Sequence, residues 1–96
     1  MDKKYVKPSK KDYTIYTISN CKYCNMLCSD IKTKKYIINC DKYLLTLRER
    51  DNFYKYIHKY TIKPYIYFPM IFKDGVFIGG YKEYIDNKLP QTKSLK

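Results

Sequence analysis

Four cysteines, at 21, 24, 28 and 40, carry the most reactive chemistry in this chain. Two of them form Cys21-Lys22-Tyr23-Cys24, directly after an alternating stretch, Tyr13-Thr14-Ile15-Tyr16-Thr17-Ile18, that reads as a β-strand. Beyond them, from Lys22 to about Lys35, Met26, Leu27, Ile31 and the cysteines recur at helical spacing. The pair therefore stands where a strand hands over to a helix, with Ser19-Asn20 as the break and the cap. A thiol attacks only as its thiolate, and an unperturbed cysteine titrates at about 8.5. The unpaired N–H groups and the dipole of a helix N-terminus stabilise a negative sulfur, and Lys22 adds a positive neighbour. Cys21 is expected to be exposed and to attack. Cys24, one turn inward, is expected to be buried and less ionised. That asymmetry fits thiol–disulfide exchange, in which Cys21 opens a disulfide and Cys24 resolves the mixed disulfide.

Cys-x-x-Cys also occurs in zinc sites, which need four ligands, usually as two close pairs. Here the remaining candidates are Cys28, Cys40 and His58, and none of them makes a second pair. Cys28, one helical turn beyond Cys24, reads as a small buried core residue. Cys40 falls at a strand end with no assigned role, and His58 reads as a residue of a helix surface. No metal site is expected.

The elements that must position the pair can be read along the chain. Residues 1–12 form a basic, lysine-rich lead-in with Pro8, expected to be a mobile or loosely docked tail. Tyr36-Ile37-Ile38-Asn39 is a second strand. A helix follows over roughly Leu44 to Tyr60, with Leu47, Phe53, Ile57 and Tyr60 as its buried positions, and Pro64 blocks its continuation. Ile66 to Phe72 reads as a strand entered through a turn at Pro69. Lys73-Asp74-Gly75 is a hairpin turn, Val76-Phe77-Ile78 the returning strand, and Tyr81 to Lys88 a last helix after Gly79-Gly80. The order β-α-β-α-β-β-α makes one α/β domain over residues 13–89, followed by a polar C-terminal tail over 90–96.

Length and composition bound the rest. Ninety-six residues leave room for one domain. A hydrophobic content of 45% is too high for a disordered polymer. No run approaches the roughly 20 apolar residues that span a bilayer, and no membrane association is expected. The first residues lack a secretory h-region, so a cytoplasmic location without structural disulfides is expected. The net charge of +11 raises a nucleic-acid role, but the lysines are scattered through most elements. Lys, Tyr, Ile and Asn together make up about half the chain and Ala is absent, a composition expected of an AT-rich genome, such as that of a large DNA virus. No specific nucleic-acid partner is expected on this ground.

Three separated motifs together resemble the glutaredoxin family. Cys21-Lys22-Tyr23-Cys24 differs by one residue from that family's Cys-Pro-Tyr-Cys. Phe68-Pro69-Met70-Ile71-Phe72 stands where the family has Val-Pro-x-Ile-Phe with a cis-proline. Gly75-Val76-Phe77-Ile78-Gly79-Gly80-Tyr81 matches its Gly-x-x-Ile-Gly-Gly turn. The likeness spans about residues 13–89 and implies a thioredoxin-like domain whose four-stranded mixed sheet is flanked by helices. It implies a monomeric disulfide oxidoreductase with Cys21 and Cys24 catalytic and glutathione as reductant. Lys22, Tyr23, Phe68, Pro69, Gly80, Tyr81, Lys82 and Glu83 would then bind glutathione. The backbone of Phe68 would pair with its cysteinyl part, and Tyr81 N–H with Lys82 and Glu83 would hold its glutamyl end.

Two basic anchors of the family are missing. Ile18 stands where a lysine often precedes the first cysteine by three residues, and Tyr65-Ile66-Tyr67 replaces an Arg or Gln near the proline. Lys22 or Lys63 would have to substitute. These departures leave open a thioredoxin-like carrier recharged by a reductase. Loss of the proline between the cysteines leaves open a glutathione-dependent iron–sulfur cluster shared by two subunits. Protein disulfides are the expected substrates, and ribonucleotide reductase an expected client if the source is viral.

Overall fold

The computed structural model describes residues 5–88. The elements follow the expected order: β1 (Tyr13–Thr17), α1 (Lys22–Asp30), β2 (Lys35–Asn39), α2 (Leu47–Thr61), β3 (Met70–Lys73), β4 (Val76–Gly79) and α3 (Tyr81–Lys88), with a 3-10 turn at Asp41–Tyr43. The polar tail expected over 90–96 and the first four residues lie outside the described part.

The strands make one mixed sheet in the order β2-β1-β3-β4. β1 and β2 are parallel, pairing Ile15 with Ile37, so they need a crossover, and α1 supplies it. β3 runs antiparallel to β1 with Ile71 opposite Ile15, and β4 returns beside β3. Asp74 and Gly75 take φ values of 53° and 84° in the turn between them. Such positive angles are what a two-residue hairpin loop demands, and the Asp-Gly pair meets them cheaply.

Strand alternation sorts the core into two layers. On one face Tyr16, Met70 and Phe72 pack with Phe53 and Ile57 of α2, and with Cys40 and Tyr43. On the other face Ile15 and Ile71 pack with Leu27 and Ile31 at α1 and Tyr84 of α3. Each fully buried large apolar side chain contributes about 1.5–3 kcal/mol relative to exposure. The two layers fix the sheet between its helices, and with it the C-terminal end of β1 that carries the cysteines.

Several boundaries differ from the sequence reading. α1 stops at Asp30 instead of Lys35, because Ile31 turns extended (φ −80°, ψ 112°) while its N–H still reaches Leu27 O. Lys32 to Lys34 are then free to reverse the chain into β2. α2 starts at Leu47, three residues later than expected, because Thr46 caps it by accepting the Glu49 N–H at 3.1 Å. Thr-x-x-Glu is the capping-box pattern, and it overrides the apolar periodicity. Leu47 thus sits in the first turn and is 75% exposed, not buried, and Tyr60 is half-buried, whereas Phe53 and Ile57 are fully buried. β3 starts only at Met70, since Pro69 has no N–H to give a ladder.

Residues 5–12, the described part of the lead-in that was expected to be mobile or loosely docked, pack on the domain. Tyr5 stacks on Tyr56 (ring centroids 4.7 Å apart) and meets Tyr43 edge-on (4.9 Å). Tyr16 donates its hydroxyl to Val6 O, Ser9 N–H donates to Thr14 Oγ1 at 2.9 Å, and Asp12 N–H to Asp74 Oδ1 at 2.8 Å. One aromatic ring and hydrogen bonds to the segment's backbone hold it.

Burial also makes an alkaline signature. Cys40 is fully buried, and burial pushes its thiol up to about 12. Cys24 is pushed up to about 12 as well. A thiol raised in the folded state keeps its proton longer than in the unfolded chain, where it leaves near pH 8.5. The resulting stability is complete below that pH and falls as pH rises toward 12, by about 1.4 kcal/mol per pH unit for each thiol. Urea unfolding at pH 8 and pH 10 is expected to show this loss, and Cys40→Ala to remove one thiol's share of the slope. An equal slope in both proteins would contradict it.

Candidate active site

Cys21 is itself the N-cap of α1, at φ −114° and ψ 109°, rather than Ser19 or Asn20. Its Sγ accepts the Cys24 N–H at 3.2 Å. The helix therefore aims one of its otherwise unpaired amides, and the positive end of its field, at this sulfur. No carboxylate stands in the first turn of α1 to oppose that field. All four cysteines are free thiols; Cys21 is half-exposed and Cys24 is 1% exposed. Burial, and then the hydrogen bond with Cys21, hold the Cys24 thiol protonated far above neutral pH. One sulfur of the pair can meet a substrate and the other cannot. Cys28 is only half-buried, at the edge of the α1 layer, not fully in the core.

The loop that carries Cys21 is tied down by residues at the ends of the two parallel strands. Asp41 Oδ1 accepts the Ser19 N–H at 2.9 Å, and Asp41 Oδ2 accepts the Ser19 hydroxyl. These bonds hold the Asp41 carboxyl below its usual range. Asn39 Nδ2 donates to Ser19 Oγ at 3.4 Å, and Asn39 Oδ1 accepts the Asp41 N–H at 2.9 Å. The sequence assigned Ser19 to the strand break and cap, and gave Asn39 and Asp41 no role at the site. Their one signal is that short polar side chains end both β1 and β2.

Across from the thiols, the Phe68–Pro69 bond is cis, and Phe68 O lies 4.0 Å from Cys21 Sγ. Beside it opens a groove of about 530 Å³. Six residues expected at a ligand site line it, namely Tyr23, Phe68, Gly80, Tyr81, Lys82 and Glu83, and Tyr65 and Tyr67 join them. Lys22 and Pro69 do not line it, Lys22 being exposed and Pro69 fully buried. Tyr23 and Tyr81 bring their rings to 5.4 Å, joining the starts of α1 and α3.

The glycine turn is shaped by its neighbours. A Cβ on Gly80 would lie 2.2 Å from the Tyr65 hydroxyl, so the residue must be small for Tyr65 to sit there. Gly79 has φ +131°, a backbone state open to glycine. Glu83 Oε1 accepts the Gly80 N–H at 2.9 Å and so caps α3 from within its own first turn. Lys82 is directed at Asp86, 3.4 Å away, with its side chain 83% exposed. Ile18, in place of a basic anchor, packs against the core instead of facing the groove. His58, expected on the helix surface, is half-buried and bonded to the Tyr65 backbone.

A shared iron–sulfur cluster would draw its protein thiolate from Cys21, because Cys24 and Cys40 are buried. Among the described residues no group of three or more His, Cys, Asp or Glu is placed to hold a metal ion. No described helix is long and apolar enough to cross a membrane.

No family profile and no curated protein sequence matches this chain. Solved structures do. The holo form of glutaredoxin C1 from Populus tremula x tremuloides superposes with a TM-score of 0.62 at 18% identity, covering 91% of this chain and 81% of that one. Glutaredoxin 1 from Francisella tularensis, solved with cacodylate, gives 0.59 at 27% identity over 88% of this chain and 95% of its own. A wheat glutaredoxin gives 0.58 at 20% identity, covering 86% and 76%. With the Cys21–Cys24 pair at the start of α1, these likenesses show that the chain has the thioredoxin-like fold of glutaredoxins, and they support a thiol oxidoreductase.

Proposed function

We propose that this protein reduces protein disulfides or glutathione mixed disulfides, with Cys21 attacking, Cys24 resolving and glutathione returning the electrons. The observation that carries the reading is the inequality of the two sulfurs: Cys21 is half-exposed at a helix N-cap with an amide at 3.2 Å, and Cys24 is buried and protonated.

The steps follow from that inequality. The Cys21 thiolate attacks one sulfur of the substrate; the substrate S–S bond breaks, and the leaving thiolate takes up a proton. Cys21 is then a neutral mixed disulfide, so its part in holding the Cys24 proton ends. Cys24 loses that proton and attacks Cys21 Sγ, which frees the second substrate thiol and leaves a Cys21–Cys24 disulfide. Two glutathione thiols supply the returning electron pair. The first forms a mixed disulfide at Cys21, and the second releases it as glutathione disulfide.

The groove suits a small peptide. Its Phe68 backbone offers strand-like pairing beside Cys21, and the start of α3 offers N–H groups to a carboxylate. Tyr23, Tyr81 and Tyr67 supply apolar walls, while Lys82 at its rim puts positive charge near an anionic ligand.

The reductant is tested by supplying one disulfide substrate with either glutathione and glutathione reductase or thioredoxin reductase. Turnover with the glutathione couple and little with the other is expected. The opposite order would make the protein a carrier recharged directly by a reductase.

A further inference from the structure

Residues 62–69, between α2 and β3, lie outside every helix and strand, yet they carry Tyr65, Tyr67 and Phe68 to the groove. A stretch without ladder bonds needs other partners for its backbone. One face of α2 provides them through residues spaced four and three apart. Tyr54 donates its hydroxyl to Ile66 O at 3.5 Å, and Thr61 donates its hydroxyl to Lys63 O at 2.6 Å. Between them His58 Nε2 lies 3.1 Å from both the N–H and the carbonyl oxygen of Tyr65.

His58 is the clamp that holds Tyr65 itself. Its ring lies flat against Tyr54, with centroids 5.8 Å apart and an interplanar angle of 5°, so it is held on both sides. As the neutral imidazole protonated at Nδ1, it accepts the Tyr65 N–H; in the other tautomer it donates to the Tyr65 carbonyl. Either form grips the same residue. Tyr65 in turn spans the groove floor: its ring meets Phe77 edge-on at 5.0 Å, and its hydroxyl rests on Gly80. Where His58 holds the Tyr65 backbone, the phenol is placed against the start of α3 and the chain is led on to Phe68 beside Cys21.

We propose that His58 is a positioning residue for the disulfide substrate, setting the Tyr65–Phe68 wall of the groove through the Tyr65 backbone without acting on either sulfur. This rests on the oxidoreductase reading but not on glutathione as donor. The test therefore uses a peptide disulfide with dithiothreitol as reductant, on the whole chain. His58→Phe keeps the ring against Tyr54 and removes the nitrogen; His58→Gln restores an amide that reaches the same backbone. Loss of one hydrogen bond that preorganises the wall is expected to raise KM about fivefold in His58→Phe with kcat near wild type. The rate of Cys21 alkylation by iodoacetamide is expected to stay unchanged, and His58→Gln to return KM close to wild type. If His58→Phe does not fold, His58→Leu carries the same expectation. In either variant, hydrogen exchange at the Tyr65 amide is expected to quicken while amides of β1 keep their protection. An unchanged KM in a folded variant would overturn the proposal, as would a fall in kcat and alkylation together. An inert wild type would overturn the oxidoreductase reading itself, and this inference with it.

Discussion

Cys21→Ser is expected to cut disulfide turnover by roughly a thousandfold or more, since replacing a nucleophile in other enzymes costs up to about a millionfold. No second thiol can take over its work. Cys24 is 1% exposed and protonated far above neutral pH, Cys40 is fully buried, and burial also raises the Cys28 thiol, which lies a further turn along α1. Cys24→Ser should behave differently. Without a resolving thiol it cannot finish the two-thiol reduction of a protein disulfide. It should still remove glutathione from a mixed disulfide, because a second glutathione can attack the adduct on Cys21. Steady-state rates of wild type and both variants, on a protein disulfide and on a glutathionylated peptide, separate the two roles. Full turnover by Cys21→Ser would refute the assignment. Equal loss on both substrates by Cys24→Ser would show that Cys24 does more than resolve.

Phe53→Ala is expected to destabilise the fold by about 3–5 kcal/mol, the usual range for emptying a buried phenylalanine site. Total stabilities of small domains are only about 5–15 kcal/mol, so much of the population would unfold under mild denaturant. Phe53 is fully buried and stacks on Tyr43 at 5.3 Å with planes 8° apart. It also meets Tyr5 of the lead-in, Tyr16 of β1 and Phe68 beside the cis-proline. One ring therefore links α2, the sheet, the N-terminal segment and the groove wall. Urea unfolding at pH 7 measures the loss, and Phe53→Leu, which refills most of the volume, should recover a large part of it. A loss below about 1 kcal/mol for the alanine variant would mean that the neighbours collapse into the space.

What could be read in the chain beforehand depended on short-range rules. Alternation in Tyr13 to Ile18 gave β1, and Asp74-Gly75 gave the hairpin, because both signals lie within a few residues. Cys21 and Cys24 could be placed at a helix start for the same reason, since strand and helix patterns meet there. The misplaced start of α2 was also local: Thr46 and Glu49 form a capping box that apolar spacing alone hides. Length, charge and the cysteine count bounded the class but could not locate a groove.

The sequence by itself therefore determined the nucleophile's setting: a thiol pair at a strand-to-helix junction, with a proline turn and a glycine turn following in order. Only the tertiary structure decided what surrounds it. Residues far apart in the chain had to meet before Asp41 could tie down Ser19, Tyr5 could bind the lead-in to α2, or Tyr65 could rest on Gly80. Each of those contacts depends on which faces the folded sheet brings together, and no spacing rule along one strand or helix encodes that. Hydrophobic burial of Tyr16, Phe53 and Phe72 draws those faces into register, and the polar clamps of the site form on the frame it makes.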